Sequence, residues 1–251
     1  MRQFIHISLL SFVCFCFSIK AQPVLRVVTE LSPPHQTINK GVVSGLSTEL
    51  VLAVLNQANI VASISMYPWA RSFYIAKTQP NVLIYNMART PEREAEFNWI
   101  GTVAAYQLGF VSLSHRTDIA INRLDDAKRY TIAVQRDDLA ANFLLQQGFS
   151  NGGALVISAD ITESWQLLLN GKVDLVIDDP VALQDMAQRL GVSVDKLHFV
   201  YAIPELAQHT WLAASMGTPT EVVKQLQQAH AEVAKTERYR QIMSSNYRSG
   251  N

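Results

Sequence analysis

Residues 81–93 read NVLIYNMARTPER, an apolar run of strand character that ends in a turn carrying two guanidinium groups, Arg89 and Arg93. Buried strands seldom lead straight into such a turn, because a charge near a core needs a partner. The run therefore raises two questions: what kind of sheet contains it, and what Arg93 faces. The same pattern recurs along the chain. VLRVV (24–28), IVASISM (60–66), YTIAV (130–134), ALVIS (154–158) and VDLVID (173–178) are short apolar runs. Between them lie GLSTELVLAVLNQA (45–58), PWARSFYIAKTQ (68–79), DLAANFLLQQGF (138–149), ESWQLLLNGK (163–172) and PVALQDMAQRLG (180–191), whose apolar residues recur at three and four. Pro68 suits a first helical turn, and Gly148, Gly171 and Gly191 suit helix ends.

Strands alternating with helices predict βαβ units and mainly parallel sheets. The alternation falls into two blocks of about a hundred residues, which predicts an α/β chain of two lobes. The polar stretch 112–126 is the expected boundary zone. HFVYAIP (198–204), HTWLAASM (209–216) and two helical stretches from 219 to 246 follow, expected to return the chain to the first lobe. The resulting expectation is lobe 1 over 22–108, lobe 2 over 109–204, and a crossover return with C-terminal helices over 205–251.

Residues 1–21 read as a secretory signal peptide: Arg2, an apolar run from Phe4 to Ile19, then Lys20 and Ala21 before Gln22. Both cysteines, Cys14 and Cys16, lie inside that run, so the exported chain is expected to have no disulfide and no thiolate nucleophile. Removing Arg2 and Lys20 leaves 19 basic against 21 acidic residues, a near-neutral balance that gives no reason to expect a nucleic-acid partner. The 49 % apolar composition suffices for a core stabilised by burial alone. The six histidines show no metal-like spacing, and there is no phosphate loop and no Ser-His-Asp order.

Ligands of open α/β sheets bind outside the carboxyl ends of strands. Those positions hold Glu30 after the first strand and Tyr67, Trp69 and Arg71 after the second. Tyr85, Asn86, Ala88 and Arg93 lie at or after the third, and Arg136, Asp137, Asp138, Asp178 and Asp179 follow strands of the second block. Arginines on one wall and acids on the other would suit a zwitterion, with aromatic faces for its organic part. Each residue also has a plainer reading. Arg93 pairs with Glu92, Glu94 or Glu96 on a solvated turn, Trp69 belongs to the core, Arg71 lies on a solvated helix face, and Asp179 caps the helix opening at Pro180.

The order of TELSPP (29–34), the G-x-x-x-E-L start at Gly45–Leu50, Thr90-Pro-Glu-Arg93 and GKVDLVIDD (171–179) resembles the bacterial extracellular solute-binding proteins of the polar amino-acid type, family 3-like, over the whole exported chain. The resemblance implies the two-lobed periplasmic-binding-protein fold (type II) with a ligand cleft between the lobes. It implies that Arg93 grips a ligand carboxylate, that Asp179 receives its ammonium, and that Glu30 stands beside that ammonium. Trp69, Arg71 and Tyr85 complete the expected site. Asp137 and Asp138 depart from the family pattern, which has glycine and hydroxyl residues there, so Arg136 is expected to contribute instead; Asn86 and Ala88 replace the usual hydroxyls near the arginine. The expected role is capture, in the periplasm, of a small polar amino-acid-like ligand by a monomer that serves a membrane permease, without enzymatic activity, cofactor or metal. The alternatives are a receptor for a membrane signalling protein and a cyclohexadienyl-dehydratase-like enzyme with Glu30 as its acid.

Overall fold

A computed structural model describes residues 24–245. The expected signal peptide, its two cysteines and the C-terminal tail from 246 lie outside the described residues.

The elements are β1 (Leu25–Thr29), β2 (Thr37–Asn39), β3 (Val42–Ser44), α1 (Leu46–Gln57), β4 (Ala62–Met66), α2 (Trp69–Thr78), β5 (Val82–Ala88) and β6 (Phe97–Leu113). They continue with β7 (Ile132–Gln135), α3 (Leu139–Gln146), β8 (Leu155–Ser158), α4 (Ile161–Leu169), β9 (Leu175–Asp178), α5 (Leu183–Leu190), β10 (Leu197–Ser215), α6 (Thr220–Val233) and α7 (Glu237–Ser245). Eight strands form a sheet in the order β4-β1-β5-β10-β6-β9-β7-β8, and β2 and β3 make a separate hairpin. The outer pairs β1–β4, β1–β5, β7–β8 and β7–β9 are parallel. The middle pairs β5–β10, β10–β6 and β6–β9 are antiparallel.

Both faces of each half-sheet are covered by helices, as parallel strands require. The alternation of side chains shows this directly. In lobe 1, Leu25, Val27, Leu83 and Tyr85 pack with α1 and α6, while Val28, Val82 and Ile84 pack with α2. In lobe 2, Ile132, Val134, Leu175 and Ile177 face α3, and Ala133 and Val176 face Trp165 and Leu168 of α4 and Met186 of α5. Leu50, Val51, Val54 and Leu55 of α1 meet Val223, Leu226, Ala229 and Val233 of α6, so the C-terminal helices lie on lobe 1.

Two features differ from the sequence expectation. The segment 97–113 is one long strand, β6, where a turn and a loose boundary were anticipated around it. The two apolar runs after 197 are one strand, β10, joined through the polar residues between them. The two strands run side by side and carry the chain out of lobe 1 and back. Their pairing slips between Gly109↔Ala202 and Gln107↔Ala207, so the ribbon is irregular where the lobes meet.

Gly109 sits at that irregularity. A Cβ there would lie 2.3 Å from the Tyr201 carbonyl oxygen, a backbone atom that cannot rotate away. Gly109→Ala is expected to destabilise the protein by about 1–3 kcal/mol, the usual range for overpacking, measured as a lowered urea midpoint at unchanged slope.

Candidate ligand cleft

A cavity of about 90 Å³ lies between the lobes at the carboxyl ends of the strands, with room for several waters or a small organic molecule at roughly 10–15 Å³ per water. Lobe 1 contributes Glu30 after β1, Trp69 at the start of α2, Asn86 and Ala88 from the end of β5, and Arg93 from the turn that follows. Lobe 2 contributes Gln135 at the end of β7 and Asp138 after it, and Ile177 and Asp178 at the end of β9. Tyr106, Leu108, Gln208 and Thr210 line it from the two crossing strands.

Local backbone features aim these groups. Asn86 adopts φ 57, a left-handed conformation unusual for a strand residue. It falls in a bulge, since Trp211 pairs with Met87 but Ala213 pairs with Ile84. The bulge reverses the side-chain phase, so Met87 joins the same apolar cluster as Val82 and Ile84. The Asn86 amide donates to Gln36 Oε1 (2.7 Å) and Tyr106 Oη (3.0 Å) and accepts from Thr210 Oγ1 (3.3 Å). Asp138 caps α3 by accepting from the Ala141 N–H at 2.9 Å.

The Arg93 guanidinium is buried, 6 % exposed, between Trp69 (5.5 Å to the ring centre) and Phe73 (4.9 Å). The plainer reading of it as a paired surface residue fails: Glu94 pairs with Arg89 and Glu96 pairs with Lys77. Arg93 itself makes two long bonds, 3.4 Å each, to the carbonyls of Ala88 and Asp137. It lines the cavity and has no carboxylate within ion-pair distance among the described residues. Trp69 Nε1 donates to the same Asp137 carbonyl at 2.9 Å, so two lobe 1 side chains hold one lobe 2 loop.

Three carboxyl groups share the cavity with that one cation. Burial pushes Glu30 up to about 8, aided by the charges of Asp138 and Asp178 and opposed by a hydrogen bond from Gln135 and by Arg93. Burial likewise raises Asp178 to about 7, although Trp165 Nε1 (2.8 Å) and the Asp179 N–H (2.8 Å) donate to it. Asp138 is raised to about 6 by burial, against hydrogen bonds from the first turn of α3.

Four expected residues are placed elsewhere. Asp179 is 1 % exposed and turned away: it accepts from the Val181 N–H (3.0 Å), capping the short 3-10 turn at Pro180, and from the Gln107 N–H (2.7 Å) of β6. Successive residues leaving a strand point to opposite sides, so Asp178 takes the cavity position and Asp179 the structural one. Tyr85 is fully buried in the lobe 1 core, its hydroxyl 2.7 Å from Thr48 Oγ1, and is pushed up to about 12 by burial. Arg71 is exposed and stacks on Tyr67 at 4.3 Å, the solvated-face reading. Arg136 is exposed as well. Glu30, Trp69, Asn86, Ala88, Arg93 and Asp138 do line the cavity. Gln135, Tyr106, Gln208 and Thr210 were not anticipated there, and Asp178 was named at its strand end without a role. Asp178 had the same signal as Asp179, the end of a strand, whereas Tyr106, Gln208 and Thr210 needed the long strands to be recognised first.

No known family's sequence profile matches the chain, and no curated protein matches it either. Solved structures do. A histidine kinase sensor domain with similarity to periplasmic binding proteins superposes with a TM-score of 0.77 at 18 % identity, covering 88 % of this chain and 94 % of that one. An ancestral arginine-binding protein bound to arginine gives 0.75 at 18 % identity, with 87 % and 96 % covered. The chain has the two-lobed periplasmic-binding-protein fold. The arginine-, lysine-, histidine-binding protein ArtJ from Geobacillus stearothermophilus, at a TM-score of 0.73, 18 % identity and coverage of 88 % and 93 %, shares it. In a periplasmic-binding-protein fold the space between the lobes is the place to seek a ligand, and here that space combines one buried guanidinium with three desolvated carboxyls.

These carboxyls give a pH dependence with a definite sign. Their ordinary values of 4.5 and 3.8 are raised in the fold to about 8, 7 and 6 for Glu30, Asp178 and Asp138. The folded chain then holds more protons than the unfolded one, so stability falls as pH rises from about 4 to 8. The protein without ligand is expected to melt at a lower temperature at pH 8 than at pH 6. Glu30→Gln should flatten that slope and raise the melting temperature at pH 8, read by circular dichroism.

Proposed function

We propose that this protein is a periplasmic solute-binding protein that captures a small polar, amino-acid-like ligand between its lobes and hands it to a membrane transporter. The observation that carries the reading is the cavity charge pattern: a buried guanidinium lacking a carboxylate partner among the described residues, stacked between aromatic rings, in a cavity that also holds Glu30, Asp138 and Asp178. A guanidinium offers two parallel donors that match a carboxylate, and the acids match an ammonium. In this reading Asp178 rather than Asp179 receives the cationic end, with Trp69 as the aromatic wall. Asn86 and the Ala88 segment shape the floor under Arg93. Arg71, Tyr85 and Arg136 take no direct part.

Removing one partner of a buried charge pair costs about 3–5 kcal/mol, or roughly a hundredfold to several thousandfold in affinity. Arg93→Ala and Arg93→Lys are both expected to lose most of the binding of the co-purifying ligand, whereas Arg136→Ala should stay within about threefold of wild type. Titration calorimetry reads all three. If Arg93→Ala binds as wild type does, the guanidinium is not the carboxylate grip.

Docking on a membrane sensor uses the same cleft, and a sensor domain and the substrate-binding protein of an amino acid ABC transporter both share the fold. The two roles part at the partner: crosslinking in intact cells should trap a permease under the first and a signalling protein under the second. A cyclohexadienyl-dehydratase-like activity has one observation in its favour, a Glu30 carboxyl raised to about 8 by burial in the cavity between the lobes. It calls for turnover of a cyclohexadienyl acid that Glu30→Gln abolishes, and the binding reading expects none.

Capture should also close the lobes. The ribbon of β6 and β10 is irregular at its middle, and Trp69 and Arg93 reach across to Asp137. Small-angle scattering is expected to show a smaller radius of gyration with ligand than without; an unchanged radius would mean that the lobes do not hinge.

A further inference from the structure

Lobe 1 meets lobe 2 directly at three points around the cleft. Leu31 packs against the lobe 2 cluster that holds Ile161 and Trp165. Trp69 and Arg93 both donate to the Asp137 carbonyl. At the third point Gln135, at the end of β7, donates its amide N–H to Glu30, just after β1. The first two contacts involve apolar groups, an indole, a guanidinium and a backbone carbonyl, none of which titrates near neutral pH. The third contains a carboxyl group, so a single proton can change it.

As a carboxylate and an amide, that pair is incompletely bonded. Glu30 Oε2 and Gln135 Oε1 are both buried and both lack a hydrogen-bond partner. Each is an acceptor, and two acceptors cannot satisfy one another. A proton on Glu30 Oε2 turns it into a donor, and the acceptor in need of one belongs to the residue already bonded to it. A neutral carboxyl and a primary carboxamide are complementary: the acid O–H donates to the amide oxygen while the amide N–H donates to the acid carbonyl. One proton thus answers two unmet acceptors, and buried polar groups without partners are rare. The surroundings of Glu30 agree. Asp138 at the start of α3 and Asp178 at the end of β9 repel its charge, the Tyr106 hydroxyl of β6 lies near it, Asp160 and Tyr67 line the adjoining chamber, and Arg93 alone favours the ionised form. Burial is the largest influence, and the carboxyl is raised to about 8. In an opened cleft water solvates it, and its value returns toward the ordinary 4.5.

We propose that Glu30 and Gln135 form a proton-operated clasp between the lobes: the neutral acid–amide pair holds the cleft closed, and loss of the proton on Glu30 releases it. The sign follows from linkage. The carboxyl binds its proton more tightly in the closed form than in the open one, so closing takes up a proton. Closure is then favoured at low pH, and the advantage is lost as pH rises from about 4.5 to 8. Between pH 6 and pH 8 the ratio of closed to open chains should fall about fiftyfold through this one group. Asp138 and Asp178, raised to about 6 and 7, add to the change in the lower part of that window, and its upper end belongs to Glu30. The device lets the acidity around the protein regulate the cleft, and it holds whichever ligand the cleft takes.

The test is small-angle scattering of the dialysed exported chain, without added ligand, at about pH 6 and about pH 8.5, on either side of most of the Glu30 transition. The radius of gyration is expected to be larger at the higher pH. Glu30→Gln places an amide where the acid was, able to donate and accept at the same two points at any pH, so this variant should stay compact at both. Gln135→Met removes the carboxamide and should be expanded already at the lower pH. Thermal melting of both near-isosteric variants confirms that they fold. Infrared spectroscopy reads the proton itself: near neutral pH the wild type should show a carboxylic-acid carbonyl band that Glu30→Gln loses. A radius that ligand changes but pH does not overturns the clasp while the hinge and the ligand-capture reading stand. A Glu30→Gln protein that expands with pH as the wild type does overturns it too, as does an acid band that survives the substitution in full.

Discussion

The ladder between β6 and β10 is the constraint on which the rest depends. The chain passes between the lobes twice, and both passages are made by these strands. Each lobe's parallel sheet is hydrogen-bonded to one of them, β5 to β10 and β9 to β6. Moving one lobe against the other therefore means bending a two-stranded ribbon, not swinging on loose linkers. The ribbon has a built-in weak point. Between Ala202 and Ala207 it loses register, and Ile203 and Leu206 leave the ladder to sit fully buried in the lobe 2 core. Tyr106, Leu108, Gln208 and Thr210 flank that break and form the cleft floor. The place where the backbone can bend is thus also the place where the ligand would lie.

The cleft charges follow from the same architecture. In an α/β sheet the strand ends converge on the cleft, and short polar residues gather there to cap the helices that follow. Asp138 and Asp160 do that work for α3 and α4. Closing the lobes over them removes water, which disfavours every ionised carboxyl at once and explains why Glu30, Asp138 and Asp178 are all raised. Arg93 offsets only part of this, because it lies against aromatic rings and carbonyls and not against an acid. The cleft thus holds one buried cation beside three carboxyls that burial pushes toward their protonated forms.

Much of the fold was legible because period-2 and period-3.6 patterns are strong in short buried elements. VLRVV, NVLIYNM and VDLVID each fall within a residue or two of a strand, and α1, α2, α3, α5 and α6 lie inside the stretches that predict them, with α4 starting two residues earlier than its stretch. The central strands escaped because Phe97–Leu113 and Leu197–Ser215 mix polar and apolar residues as they pass from one lobe to the other. Each half faces a different core, so no single period runs through. The hairpin of β2 and β3 is three residues a side and too short to leave a pattern. At the site, the sequence located the strand ends but not the direction of each side chain. Asp178 and Asp179 differ by one residue, hence by a face, and only the pairing Gly109↔Asp178 decides which faces the cleft. Gln135 carried no signal at all, since a glutamine after a strand is unremarkable until its carbonyl is found buried and unmet.

Asn86 shows how core and cleft are tied together. If β5 kept its phase, residue 86 would belong to the face of Val82 and Ile84, where an amide has no place among the rings and aliphatic groups that pack against α2. The left-handed turn at Asn86 spends one residue out of the ladder, restores Met87 to that apolar face, and leaves Asn86 and Ala88 lining the cavity. The conformation is unfavourable for a residue with a Cβ, by an amount of order 1–3 kcal/mol, and asparagine is among the side chains that tolerate it best. Three hydrogen bonds hold the amide, to Gln36, Tyr106 and Thr210, one partner from the segment after β1 and one from each crossing strand. A single backbone irregularity therefore registers the lobe 1 core, the cleft floor and both strands of the ribbon against each other, so a change in the angle between the lobes must be felt at Asn86 and, seven residues later in the chain, at the turn that carries Arg93.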